Sequence, residues 1–405
     1  MTVAIRPVLK SMMRNCSGPI LVAFQIAVAL AVLVNAVYMA EQRVEKMARP
    51  TGIDDRDLFG LRSVGFTPRF NSDASLREDL AYIRSVPGVI AATSISAVPL
   101  SQNGNVSDVC TRPHPSLCRL SATFYDVDDQ ALNTLGVRLL AGRGFRADEI
   151  LPPIASSADP LQAISKILVT RSLARVLFPG KNALGLTIYD DADRPVTIIG
   201  VITDMAGTGY SSSYVGYNSV VLLPRLAPGR YLVRTAPGRR DALMRTIEDH
   251  LSASNPDRVI QNVRSVEFYK NLLYMADRNM AIFLLTVTTL LVAITCIGVF
   301  GLVTFNVARR TKQIGTRRAI GACRADIIRY FLVENALITT AGVVIGCALA
   351  LGAGYWLSVR LELPRLDLYY LVGGVVLLWG ISQLAAWHPA RRAATVSPSV
   401  ATRTV

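Results

Sequence analysis

Four stretches of this chain are too long and too apolar to be ordinary core segments. Ile20 to Met39 reads ILVAFQIAVALAVLVNAVYM, with Gln25 and Asn35 as its polar members. Met280 to Phe305 reads MAIFLLTVTTLLVAITCIGVFGLVTF, the third stretch runs roughly from Phe331 to Trp356, and the fourth roughly from Tyr369 to Trp387. Crossing a bilayer takes about 20 consecutive apolar residues, and a buried helix of a soluble protein rarely reaches that length without a charge. The fold class is therefore a membrane protein with four transmembrane helices, and the mean hydropathy of +0.36 agrees. Gln42, Arg43 and Glu45 follow the first stretch without a small-residue cleavage site, so it reads as an anchor rather than a signal peptide.

Charge placement sets the orientation. The chain has 405 residues and a formal net charge of +14. Such an excess would suit a nucleic-acid binder, but here it sits in the short flanks of the apolar spans, where Lys and Arg mark the cytoplasmic side. Arg6, Lys10 and Arg14 precede the first span. Arg309, Arg310, Lys312, Arg317, Arg318, Arg324 and Arg329 lie between the second and third, and Arg391, Arg392 and Arg403 follow the fourth. In the link at 357–368, Arg360 and Arg365 are offset by Glu362 and Asp367. The expected layout has cytoplasmic segments at 1–19, 306–330 and 388–405, spans at 20–39, 280–305, 331–356 and 369–387, and residues 40–279 outside. Topology accounts for the basic excess, and no nucleic-acid partner is expected.

The two ends of the outer region carry the same α/β pattern. LFGLRSVGF reads as a strand, SLREDLAYIRSV as a helix with Leu76, Leu80 and Ile83 on one face, and GVIAATSISAV as a strand after a Pro-Gly break. RYLVRT, RRDALMRTIEDHL with Leu243, Ile247 and Leu251, and RVIQNVRSV repeat the βαβ order. The halves fall at about 57–98 and 227–267. Between them, at about 99–226, ILVT, LTIY, VTIIGVI and SVVLLP mark an inserted subdomain of mixed structure.

Catalytic constellations are not apparent. FPGKNALG lacks the leading Gly and the Ser/Thr of a phosphate loop. His114, His250 and His388 fall in three different regions, which argues against a triad or a His-based metal cluster. Cys110 and Cys118 flank CTRPHPSLC on the oxidising side, where a disulfide closing a small loop is the expectation. A zinc site built on both cysteines and His114 would be one ligand short. Cys16 and Cys323 fall on the reduced side, and Cys296 and Cys347 read as packing residues of the spans. Glu334, inside the third span, is a functional candidate because a carboxylate in a membrane helix is costly. The plainer reading is that it snorkels or pairs with Arg329 or Arg324.

The segment RRTKQIGTRRAIGACRADIIRYFLVENALITTAGVVIG joins the second and third spans. Gly315 and Gly321 argue against one continuous helix, so a short helix is expected around TRRAIG. Basic residues alone would serve as a topology anchor on anionic lipids. The alternation of Ile314, Ala319 and Ile320 with Gly and Arg instead suits docking on a partner.

This segment resembles the transmission segment of the MacB/FtsX-like ABC permeases. The tail HPARRAATVSPSVATR is similar to that family's basic tail. YDVDDQALNTLGVRLLAGRGF and ILVTRSLARVLFPGKNALGLTI followed by VTIIGVITDM resemble the MacB periplasmic core domain. The resemblance implies a permease with a porter-like α/β domain carrying an inserted subdomain, and first and second helices extended outward as a stalk. The helix from about Glu267 to Lys312 would then span roughly 70 Å. It implies coupling to an ATPase through Gln313, Ile314, Gly315, Thr316, Arg317, Arg318, Ala319, Ile320, Gly321 and Ala322. The family pattern often carries Glu at the position of Gln313, which puts that contact in question.

MacB has its ATPase at its own N-terminus, so this chain implies a separate ATPase subunit that binds ATP and Mg, with no cofactor or enzyme activity of its own. Further implied partners are a second permease chain, as a homodimer or with a similar permease, a periplasmic adaptor and a TolC-like channel. The setting would be a bacterial inner membrane. The same topology suits lipoprotein extraction of the LolC/LolE kind or an FtsX-like signalling module.

Overall fold

In the computed structural model the first apolar stretch becomes α1 (Ser17–Met47). The structure describes residues 17–113, 120–153, 163–190, 193–208, 217–361 and 366–395. They fall into two compact units, residues 48–276 and the helical remainder (1–47 with 277–405).

The α/β unit begins with β1 (Leu58–Gly65), α2 (Ser72–Ser85) and β2 (Val89–Ser94). α2 starts where Asn71 accepts from the amides of Asp73 and Ala74 at 3.1 and 3.0 Å, a side-chain cap for otherwise orphan donors. Next come β3 (Asn105–Val109), β4 (Leu120–Val127), α3 (Ala131–Leu135), β5 (Leu139–Gly142), β6 (Lys166–Thr170) and α4 (Arg171–Leu177). β7 (Thr187–Tyr189), β8 (Pro195–Ile202) and β9 (Val220–Pro224) complete the insertion. The unit closes with β10 (Arg230–Thr235), α5 (Arg240–Ser254) and β11 (Arg258–Ser265).

The four terminal strands form one sheet in the order β11-β1-β10-β2. Every neighbouring pair is antiparallel, so each βαβ half places a strand of the other half between its own two strands. The halves are interleaved and neither has a sheet by itself. A buried polar knot ties them together: Tyr231 Oη donates to Asp79 Oδ2 at 2.6 Å, and Arg258 donates to the same carboxylate and to the Leu251 carbonyl. Leu76, Leu80, Ile83, Ile247 and Leu251 pack with Phe59 and Val233 beneath the two helices. The insertion forms a second, mixed sheet in the order β3-β4-β9-β6-β8-β5, with β7 pairing on β8. Leu58, Leu232, Tyr125, Leu168 and Leu222, drawn from both sheets, share one buried cluster.

After β11 come α6 (Val266–Leu273), α7 (Met275–Arg309), α8 (Thr311–Ala319), α9 (Arg324–Leu361) and α10 (Leu368–Thr395). The single helix expected from Glu267 to Lys312 is thus three helices. Tyr274 and Arg310, at φ −93°, ψ 2° and φ −106°, ψ 14°, leave the α-helical region and break it. Its central piece, α7, has 35 residues and is about 52 Å long at 1.5 Å per residue.

α1, α7, α9 and α10 are long and apolar enough to cross a membrane. Lipid offers little hydrophobic drive between helices, so close backbone approach and polar bonds hold them. Gly342 and Gly346 let α9 lie against the Ala23 and Ala27 carbonyls of α1, where a β-carbon would come within 2.6 and 3.0 Å. Asn35 Nδ2 donates to the Ala350 carbonyl at 3.1 Å. Between α9 and α10, Asn335 donates to the Ser382 carbonyl and hydroxyl, both at 3.2 Å, and Thr339 bonds the same hydroxyl at 2.8 Å. α1 and α7 are pinned through Asp277, which accepts from Lys46 at 2.9 Å and from Arg43.

Candidate functional site

The candidate site is the turn from α7 through α8 to the start of α9. Gly315 lies inside α8, one turn beyond its start, and not at a break as the sequence implied. Beyond the cap Ile320 comes Gly321, whose φ of +103° is a left-handed conformation that side chains resist. The Ile320 amide bonds the Thr316 carbonyl at 3.1 Å and the Ala322 amide bonds the Arg317 carbonyl at 3.0 Å, satisfying the last turn. Arg317 and Arg318 sit in that turn, where cations complement the helix dipole. α9 opens with Asp326 reaching back to the Cys323 amide at 3.2 Å.

α8 has two unlike faces. Ile314 and Gly315 are buried, and Ile314 joins the apolar cluster of the membrane unit. Gln313, Thr316, Arg317, Ala319, Ile320 and Gly321 are exposed, while Arg318 and Ala322 are intermediate. Ile320 is 82% exposed at the tip. A single exposed apolar residue is ordinary on a protein surface and is not by itself a patch.

Glu334 fixes this turn to α9. Its carboxylate is 4% exposed and accepts from Arg310 Nη1 at 3.0 Å. Arg310 also donates to Tyr330 Oη at 3.0 Å, and the Arg317 guanidinium lies 5.2 Å from the centre of the Tyr330 ring. The expected partners are replaced: among the described residues, neither Arg324 nor Arg329 pairs with Glu334. Arg329 lies five residues earlier, about 500° around the helix and thus on another face, and Arg324 is about 15 Å away along the axis. The partner comes from another helix end, a contact that spacing within one helix cannot reveal.

Elsewhere, Cys110 is disulfide-bonded, and its backbone pairs with Tyr189 at the edge of the second sheet. Cys118 and His114 lie outside the described residues, as does Cys16. Cys296, Cys323 and Cys347 are free thiols. No cluster of metal-ligating side chains occurs among the described residues. In the α/β unit, Asp126 lines a cleft of about 550 Å³ beside Arg62, Arg225 and Arg230. Burial there raises its carboxyl pKa to about 6, with Arg225, 3.6 Å away, pulling the other way.

These features define a class: a four-helix membrane protein whose chain is interrupted after the first helix by a large α/β unit and returns through a basic turn. Within that class the chain belongs to the MacB-like periplasmic core domain family, whose model matches residues 22–257, more than half of the chain. Residues 285–398 match the model for the FtsX-like permease C-terminal region. It is therefore an ABC permease of the MacB/FtsX-like kind.

A probable export ATP-binding/permease protein MacB of Pseudomonas entomophila is 28% identical over 267 residues, 60% of this chain and 38% of that protein. A probable syringafactin export ATP-binding/permease protein SyfD of Pseudomonas syringae pv. tomato is 23% identical, over 89% of this chain and 52% of its own length. An uncharacterized ABC transporter permease YknZ of Bacillus subtilis is 24% identical over 70% of each chain. The chain thus spans about half or less of the first two relatives. Among solved structures, the periplasmic region of MacB from Actinobacillus actinomycetemcomitans aligns over 56% of this chain and 97% of its own, at 14% identity and a TM-score of 0.35.

Proposed function

We propose that this chain is the permease subunit of a MacB-type ABC transporter, which converts ATP hydrolysis on a separate subunit into movement of its extracytoplasmic α/β unit. The observation that carries this reading is the two-faced α8. Its inner face is locked to the bundle through Ile314 and, one residue before the helix, through Arg310 and Glu334. Its outer face offers Thr316, Ala319 and Ile320 to the basic side of the membrane. A partner that grips the outer face moves α9 and α7 with it, because the buried ion pair resists separation at a cost of several kcal/mol.

ATP and Mg would be bound by that partner. Two permease chains would form the unit, with α1 and α7 leading outward. The names of the relatives favour export; on this proposal the cargo is a peptide, toxin or small molecule, passed on through an adaptor and an outer-membrane channel. Both termini would lie in the cytoplasm, by the charge of the flanks, and Cys110 would pair with Cys118.

The test is co-expression with an ATP-binding protein encoded beside this chain. The pair should purify together, and the permease should alter the rate of ATP hydrolysis. Reporter fusions at Gly229 and Ala322 should be active outside and inside, respectively. An ATP-binding protein that neither co-purifies nor changes its rate would end the proposal, as would an outside signal at Ala322.

A further inference from the structure

α9 and α10 line a groove of about 880 Å³ that is apolar over nearly its whole wall. Leu332, Val333 and Ala336 on α9 face Gly380 and Leu384 on α10, and Trp379 and Trp387 frame it. Two polar groups interrupt it. Gln383 Nε2 is buried without a hydrogen-bond partner. Arg329 stands at the basic mouth, exposed, and forms no ion pair among the described residues. A buried N–H left unpaired inside a membrane is costly, and the groove wall supplies no acceptor for it.

The spacing of the two groups says what would supply it. Asn335 bonds Ser382, which sets Gln383 level with Asn335 on the antiparallel neighbour. Arg329 is then six residues, or about 9 Å, nearer the basic end, and its long side chain lines the groove mouth, so its guanidinium can reach back toward a headgroup phosphate. Trp387, one turn beyond Gln383 and with Arg391 stacked 5.3 Å from its ring centre, marks the interface. The headgroup zone is roughly 5–7 Å deep in each leaflet. An ester carbonyl at its base falls beside Gln383, and a phosphate above it falls beside Arg329. A packed transmembrane helix fits less well, because its carbonyls are already bonded within the helix and it brings no anion to Arg329.

We infer that this groove holds one anionic glycerophospholipid of the inner leaflet. Its phosphate meets Arg329, an ester carbonyl accepts from Gln383 Nε2, and one acyl chain lies along Leu332, Val333 and Leu384. The site would hold the α9–α10 pair together near the turn that anchors α8.

The full chain, purified in detergent, would be titrated with phosphatidylglycerol and with phosphatidylcholine of matched chains, and bound lipids counted by native mass spectrometry. One phosphatidylglycerol should be retained at least tenfold more tightly than phosphatidylcholine. Arg329→Gln should bring the two to near parity, and Arg329→Lys should keep the preference. Gln383→Leu should weaken both lipids alike, since both carry the ester. Arg309→Gln, which alters the same basic flank outside the groove, should leave the preference unchanged. Equal binding of the two lipids to the unaltered chain would overturn the site, and so would a loss in Arg309→Gln as large as in Arg329→Gln. A disulfide-linked dimer formed through Leu384→Cys, with lipid excluded, would give the groove to a second copy instead.

Discussion

Each unit of the molecule is closed by a buried arginine–carboxylate pair, and the two pairs do different things. In the α/β unit, Asp79 and Arg258 are 5% and 2% exposed at the side chain, lie 179 residues apart and join the interleaved halves. Tyr231, Ser254 and the Leu251 carbonyl bond the same two groups, so the charges are well compensated. In the membrane unit, Glu334 and Arg310 are 24 residues apart and join the end of one helix to the flank of another. Arg310 is 19% exposed and sits beside the basic turn. The first pair completes a fold that its chain segments cannot form separately. The second fixes a surface helix to a bundle that has its own packing. Burial of a charge therefore marks the core of a fold in one place and, on the proposed function, a point of transmission in the other, and only the neighbourhood tells them apart.

The comparison predicts unequal losses. Asp79→Leu strands Arg258 in the core and should lower the stability of the α/β unit by about 3–5 kcal/mol. Chemical unfolding of the full chain, followed by protease cleavage within residues 48–276, would show it, and an unchanged midpoint would mean that the knot is incidental.

Glu334→Gln leaves Arg310 with Tyr330 and some access to water, so the loss should be nearer 2 kcal/mol and confined to the turn. Hydrogen exchange should quicken across residues 311–319 while the α/β unit stays protected. Global unfolding would show that the second pair is as structural as the first.

A third carboxylate sharpens the contrast through pH. Asp126 keeps its proton up to about pH 6 when folded, against an ordinary value of 3.8. The folded state then binds more protons than the unfolded state between these values, so its stability falls as pH rises through that window and levels off above it. Asp126→Asn should flatten that part of the stability profile, read as the difference in melting temperature between pH 4 and pH 7. A profile as steep as that of the unaltered chain would assign the slope to another group.

Much of this was legible in the sequence, and what was missed lies in long-range pairings and in local preferences that packing overrides. The apolar spans, α2 and α5 with their inward Leu76, Leu80, Ile83, Leu243, Ile247 and Leu251, and the repeated βαβ order all follow from local periodicity. The interleaving of the halves does not, because strand order depends on pairings between residues more than 130 apart, such as Phe59 with Val233. The helix breaks at Tyr274 and Arg310 were also hidden, since neither residue disfavours a helix strongly. Gly315 misled in the opposite direction: its propensity cost is about 1 kcal/mol, and the burial of Ile314 beside it outweighs that. The Arg310–Glu334 contact crosses between helices and left no spacing to read.

The smallest effect on stability should accompany the largest effect on function. Ile320 is exposed and touches little, so Ile320→Asp should change the stability of the chain by less than about 0.5 kcal/mol. In a docked complex the same substitution would bury an unpaired charge and should abolish the association. The direct measurement is co-purification of the ATP-binding subunit with the permease, unaltered and with Ile320→Asp, alongside the rate of ATP hydrolysis. The account predicts a folded, membrane-inserted variant that no longer retains the ATP-binding subunit or alters its rate. Retention and rate equal to those of the unaltered chain would contradict it and leave α8 as a basic topology anchor.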